Sequence, residues 1–165
     1  MLAALWTPAY VGIGSNLGDP ERQVRAAIAA LGTMGGVRLI ARSSLYRTRA
    51  WGRTDQPDFV NAAVGLLSRI GSAELLDRLF ALERDAGRPA TREKWSPRTL
   101  DLDLLVFGSE RNQSPERQIP HPGIAERAFV LAPLRDIAPA LKVPGAGRVE
   151  VLAACICLDG TEVLA

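Results

Sequence analysis

Strand, helix, strand, strand, helix, strand: this order of elements predicts an α+β domain, a ferredoxin-like split β-α-β sandwich with a C-terminal extension. Three observations carry it. Residues 100–107 alternate strictly at first, with Leu100, Leu102 and Leu104 on one side and Asp101 and Asp103 on the other, the period of a strand with one buried face. Two stretches opening at Pro20 and Ser72 place apolar residues at helical spacing. Between them, residues 37–46 and 59–67 read as the arms of a long hairpin. Two helices on one face of an antiparallel sheet follow from that order.

The elements can be justified in turn. Ala9 to Ile13 alternates into the Gly-rich turn G-S-N-L-G-D, a strand running into a turn. Asp19 and Pro20 suit an N-cap and first helical position, and Val24, Ala27, Ile28 and Leu31 continue the helix until Gly35-Gly36. A turn-rich loop spans 48–58. The second helix turns Leu75, Leu76, Leu79, Phe80 and Leu82 inward and ends near Gly87. Residues 87–99 form a polar loop holding Arg88, Arg92, Lys94 and Arg98 against one Glu93. Such loops are usually solvated surface, but this one feeds directly into the Asp pair, which favours phosphate binding. The tail predicts I-P-H-P at 119–122, a short helix over 126–130, a helix over 149–155 and a terminal strand.

Composition bounds the function. With 165 residues, 47% hydrophobic and 23% charged, the chain reads as one domain, 1–165, with 1–8 as an N-terminal extension. A net charge of +2 gives no argument for nucleic acid, and no apolar run reaches membrane length. The opening M-L-A-A-L-W-T-P lacks a basic region, so a cytoplasmic protein is expected, and a monomer is expected beside it. Cys155 and Cys157, far from the single His121, argue against zinc and are expected to pack at an element end in a reducing compartment.

Alternate strand residues lie roughly 6.6 Å apart on the same face, so Asp101 and Asp103 project side by side. Such a pair can hold one or two Mg2+ ions, with Arg98 placed to meet phosphates that the ions carry. The alternative is a solvent-facing edge strand kept soluble by its carboxylates. Spacing alone leaves both open.

With these motifs in place, the chain resembles the 6-hydroxymethyl-7,8-dihydropterin pyrophosphokinases of folate biosynthesis. The matching pieces are G-I-G-S-N-L-G-D (12–19), S-S-L-Y-R-T (43–48), D-Q-P-D-F-V-N-A-A-V (55–64), W-S-P-R-T-L-D-L-D-L-L-V-F-G (95–108), I-P-H-P and R-A-F-V-L-A-P-L-R-D-I-A-P (127–139). The resemblance implies the same fold and transfer of pyrophosphate from ATP to the pterin hydroxymethyl group, releasing AMP. It implies Asp101 and Asp103 as ligands of two Mg2+ ions, and Arg88 and Arg98 as further catalytic residues. Glu83, Arg88, Arg98 and His121 are implied on the ATP side. Thr48, Trp51, Gly52, Phe59, Asn61, Trp95 and Phe129 are implied around the pterin, the two Phe as a sandwich and Asn61 as the reader of the ring edge.

The chain also departs from the family's pattern. Pro89, Ala90 and Thr91 stand where many members carry basic residues, so Arg92 is expected to take over part of their work. Trp51 replaces a smaller apolar residue and Pro122 a frequent Tyr. Two rival readings are an RNA-binding module of similar topology, which the acidic pair disfavours, and a ligand-binding regulatory domain, which leaves the Asp pair and the Arg loop unexplained.

Overall fold

In the computed structural model, residues 5–50, 52, 54–88 and 96–164 are described. They run β1 (Thr7–Ser15), α1 (Pro20–Gly32), β2 (Val37–Arg42), β3 (Leu45–Thr48), β4 (Phe59–Ser68), α2 (Ser72–Asp85), β5 (Asp101–Phe107), α3 (Ala128–Ile137), β6 (Lys142–Val143), β7 (Gly147–Arg148), α4 (Val149–Cys155) and β8 (Thr161–Leu164). A six-stranded antiparallel sheet is ordered β5-β1-β4-β3-β8, with β2 also on β4. This is the ferredoxin-like sandwich that the element order predicts, and β8 adds a strand beyond β3.

One face of the sheet packs on α1 and α2. Val24, Ala27, Ile28 and Leu31 of α1 and Leu75, Leu76 and Leu79 of α2 meet Val11, Ile13, Val64, Leu66, Leu102 and Leu104 there. Asp19 caps α1 by accepting the N–H of Arg22 at 3.1 Å. The helix stops at Gly32, short of Gly35-Gly36, because the N–H and hydroxyl of Thr33 both turn back to the Ala30 carbonyl, at 3.3 and 3.2 Å.

The strand expected over 37–46 is broken at Ser43 and Ser44. The Ser43 hydroxyl accepts the Ala63 N–H at 2.9 Å, taking the place of a backbone carbonyl in the ladder. Beyond the break, Tyr46 donates its hydroxyl to Asp136 at 2.7 Å, tying β3 to α3. Burial and the Asp136 carboxylate push Tyr46 up to about 12. A raised folded value means that this contribution is complete below about pH 10 and is lost as pH climbs toward 12. Tyr46→Phe should therefore cost about 1 kcal/mol at neutral pH in urea melts, and the gap to wild type should shrink above pH 10. A gap that widens with alkali would refute this.

The C-terminal extension builds a third layer. Leu131 and Leu134 of α3, with Val149 and Ala153 of α4, pack against Ala63, Leu105 and Val106 on the sheet's second face. The short helix expected at 126–130 is a 3-10 turn at Ile124–Glu126 followed by the longer α3, which runs through Pro133. A proline inside a helix costs about 3 kcal/mol. Val130, Leu131 and Leu134 are all buried, and each contributes about 1.5–3 kcal/mol, so packing outweighs the break. Cys155 and Cys157 are exposed at the end of α4, not packed as expected, because the buried side of that short helix is supplied by Val149 and Ala153. At the other terminus, Trp6 is sandwiched between the guanidinium groups of Arg38 and Arg69, each 4.4 Å from the ring centre.

Candidate active site

Half of the second face is left uncovered by α3, and a cavity of about 310 Å3 opens there. Its floor is three strands wide. Gly12 and Gly14 of β1 pair with Asp103 and Asp101 of β5, and Gly14 also pairs with Asn61 of β4. Glycine is needed at 14 because a Cβ there would lie 3.1 Å from Asn61 Oδ1, over the floor of the cavity.

At one end lie the carboxylates. Asp101 is held on both oxygens: Arg88 Nη1 reaches Oδ1 at 2.9 Å and Arg98 Nη1 reaches Oδ2 at 2.6 Å. Asp103, a third exposed, faces the cavity, and His121 Nε2 stands 3.7 Å from its Oδ1. Burial, and next the charge of Asp101, push Asp103 up to about 7, against the pull of Arg127 and Arg98. His121 is driven down to about 4 by burial and then by the Arg127 charge. It is therefore neutral at pH 7, and its contact with Asp103 is not an ion pair. Its Nδ1 accepts the Gly123 N–H at 3.1 Å, which leaves the proton on Nε2, aimed at the cleft. The His121 N–H also donates to the Leu105 carbonyl at 2.9 Å, laying I-P-H-P along the outer edge of β5.

At the other end Phe59, at the start of β4, and Phe129, in the first turn of α3, both line the cavity. Asn61 is buried beside them and donates Nδ2 to Thr48 Oγ1 at 2.7 Å, which turns its Oδ1 toward Gly14. Thr48 thus acts from the end of β3, as a partner of Asn61.

The expected residues are not all on the wall. Glu83, implied on the ATP side, is 2% exposed beneath it. It accepts the Leu102 N–H at 2.7 Å and ion-pairs with Arg88. Burial pushes its carboxyl up, while the Leu102 N–H and Arg88 pull the other way. Its spacing from Leu76 and Leu79 places it on the inward face of α2, the available sign of that burial. Gly52 is exposed on the loop after β3 with a left-handed backbone, φ +87°. Trp51, Arg92 and Trp95 lie outside the described residues.

Two residues with no assigned role in the sequence matter here. Arg127, the N-cap residue of α3, lines the cavity with its guanidinium 5.8 Å from the Phe129 ring centre, and its charge acts on both Asp103 and His121. Its place in R-A-F-V, two residues before Phe129, was the available clue. Asn16 is buried below the site and clamps it: Oδ1 accepts the Arg98 N–H at 2.8 Å, while Nδ2 reaches Gln56 Oε1 and the Pro57 carbonyl, each at 3.0 Å. One amide thus joins the turn after β1 to the loops preceding β4 and β5.

A ferredoxin-like sheet carrying a carboxylate pair ringed by arginines, with two phenylalanines lining the same cavity, suits an enzyme that transfers phosphoryl groups to a flat acceptor. Residues 10–139 match the family model for 7,8-dihydro-6-hydroxymethylpterin-pyrophosphokinase (HPPK). The chain is 44% identical over 147 residues to a 2-amino-4-hydroxy-6-hydroxymethyldihydropteridine pyrophosphokinase of Pseudomonas aeruginosa, covering 88% of this chain and 90% of that one. It is 42% identical over 130 residues to the Bacillus subtilis protein of the same name, covering 78% and 77%. Among solved structures, a Plasmodium falciparum HPPK-DHPS triple mutant superposes with TM-score 0.68 at 14% identity, over 93% of this chain. An HPPK-DHPS in complex with substrates gives 0.71 at 12%, over 96%. These two likenesses bear on the fold alone, and this chain spans 44% and 46% of those longer chains. The chain belongs to the 7,8-dihydro-6-hydroxymethylpterin-pyrophosphokinase family.

Proposed function

We propose that the chain carries out its family's reaction, transfer of pyrophosphate from ATP to the hydroxymethyl group of 6-hydroxymethyl-7,8-dihydropterin in folate biosynthesis, with Mg2+ held by Asp101 and Asp103. The observation that carries the metal reading is the pair itself: two carboxylates crowded on one strand face, with Asp103 pushed up to about 7 by burial and by its neighbour. Mg2+ commonly takes one or two carboxylates and fills its remaining positions with water and phosphate oxygens, so the donor set fits. Among the described residues no group of three or more His, Cys, Asp or Glu forms a fuller cage. When bound, Mg2+ would supply charge compensation on the phosphate oxygens.

The chain's own residues do the aligning. Phe59 and Phe129 stack the pterin, and Asn61 Oδ1 accepts from a ring-edge N–H. The hydroxymethyl oxygen then attacks the β-phosphorus of ATP. The bond to the α,β-bridging oxygen breaks, and AMP leaves with that oxygen. Arg98, with Arg88 behind it, meets the phosphates, and neutral His121 offers its Nε2–H to a phosphate oxygen. Arg92 and Trp95 are assigned to the closing loop, and Trp51 and Gly52 to the pterin side, on resemblance. Among the described residues no helix is long and apolar enough to cross a membrane.

The test is AMP release from ATP, Mg2+ and the hydroxymethyl pterin by the purified chain. Release that persists in excess chelator would remove the metal, and ATP turnover without pterin would remove the acceptor. Asn61→Ala should weaken pterin binding by about 1–3 kcal/mol with ATP binding little changed. Calorimetry showing equal losses for both ligands would make Asn61 a structural residue.

A further inference from the structure

Among the described residues, the buried carboxylate without a part in that chemistry is Glu83. Its Oε1 takes the N–H of Leu102, the residue between the two candidate metal ligands, and the same oxygen meets Arg88 Nη1. That nitrogen also reaches Asp101 Oδ1 at 2.9 Å. A neutral amide could satisfy the Leu102 N–H equally well, so pinning α2 to β5 does not call for a charge. A buried anion is costly unless it is paired. Here the charge does something that an amide cannot: it divides one guanidinium between two carboxylates.

Asp101 has its other oxygen on Arg98 at 2.6 Å. With Arg88 wholly on Asp101 as well, two cations would compete with any metal for one carboxylate. We infer that Glu83 is a positioning residue that draws Arg88 back from Asp101 and so keeps Asp101 open to the cation. This rests on the metal reading proposed above. It makes Glu83, Arg88, Asp101 and Arg98 one chain of alternating charge, in which the buried Glu83 sets how tightly Asp101 holds Mg2+.

The test reads binding. Mg2+ is titrated calorimetrically into the protein with α,β-methylene-ATP, which cannot release AMP, and Glu83→Gln keeps an acceptor for Leu102 while deleting the charge. The Mg2+ half-saturation concentration should rise about tenfold in Glu83→Gln, with the analogue's own affinity measured without metal unchanged. In an Arg88→Met background, adding Glu83→Gln should change nothing, because no guanidinium is left to fall onto Asp101. An unchanged half-saturation in the single variant overturns the inference. So does an equal tenfold loss in the Arg88→Met background, which would mean that Glu83 acts by its own field or through Leu102. If Glu83→Gln alone does not fold, the double variant, which removes a whole buried ion pair, is compared with Arg88→Met, and any difference counts against the inference. Wild-type protein binding no Mg2+ would sink the metal reading itself, a result distinct from any of these.

Discussion

Asp101→Ala and Asp103→Ala are each expected to lower AMP release by about three orders of magnitude or more, since charge compensation at the transferring phosphates is worth several kcal/mol. The fold should survive, because both side chains leave the sheet on the cavity side while Leu102 and Leu104 carry the packing. Asp103 gives this a second signature. Its folded value, near 7, lies above the unfolded carboxyl value, so its contribution to stability is largest below about pH 4 and is lost as pH rises through 7. Metal-free Asp103→Asn should therefore gain Tm over wild type at pH 8, and gain less at pH 5. Near wild-type turnover in either alanine variant at saturating Mg2+ would take that carboxylate out of the mechanism. A Tm gain that is larger at pH 5 would contradict the crowding.

The second large effect is expected at Arg98. Its guanidinium lines the cavity and holds Asp101, and its backbone N–H is fixed by Asn16. Arg98→Ala removes a charge-assisted contact to phosphate in a partly dry site, so kcat/KM should fall about 100-fold or more. Arg98→Lys should recover little, since a point charge does not reproduce the planar fork. Full recovery by lysine would show that only charge matters here. A loss confined to KM for ATP would place Arg98 on the ground state alone.

The sequence made most of this legible where a local rule and the tertiary structure agree. The order of elements, the inward face of α1 and the side-by-side carboxylates of β5 all follow from periodicity. Elsewhere a longer-range effect won. Pro133 does not stop α3, because that helix is buried along most of its length. Ser43 breaks a strand because its hydroxyl competes with the backbone for Ala63. Glu83 lies inward by its spacing, but the groups that satisfy it there, the Leu102 N–H and Arg88, come together only in the fold. Arg127 reaches the cavity only because α3 docks across the second face, a placement that no periodicity encodes.

The run L-L-V-F in β5 hides one further feature. Val11 pairs with Leu104 and Tyr10 with Val106, so Leu105 is an extra residue bulged out of the ladder. On its site side, odd-numbered residues face the cavity; past it the parity is inverted, and Phe107 returns to the main core with Leu102 and Leu104. Leu105 and Val106 meanwhile serve the third layer. A strand free to slip by one position would push Asp101 and Asp103 into hydrocarbon and lift leucines into the cleft. The bulge prevents that sliding, since only one alignment with β1 satisfies both halves of the strand. Deleting Leu105 should thus do more harm than shortening a loop by one residue: it would force the chain to choose between a sound core and a charged cleft.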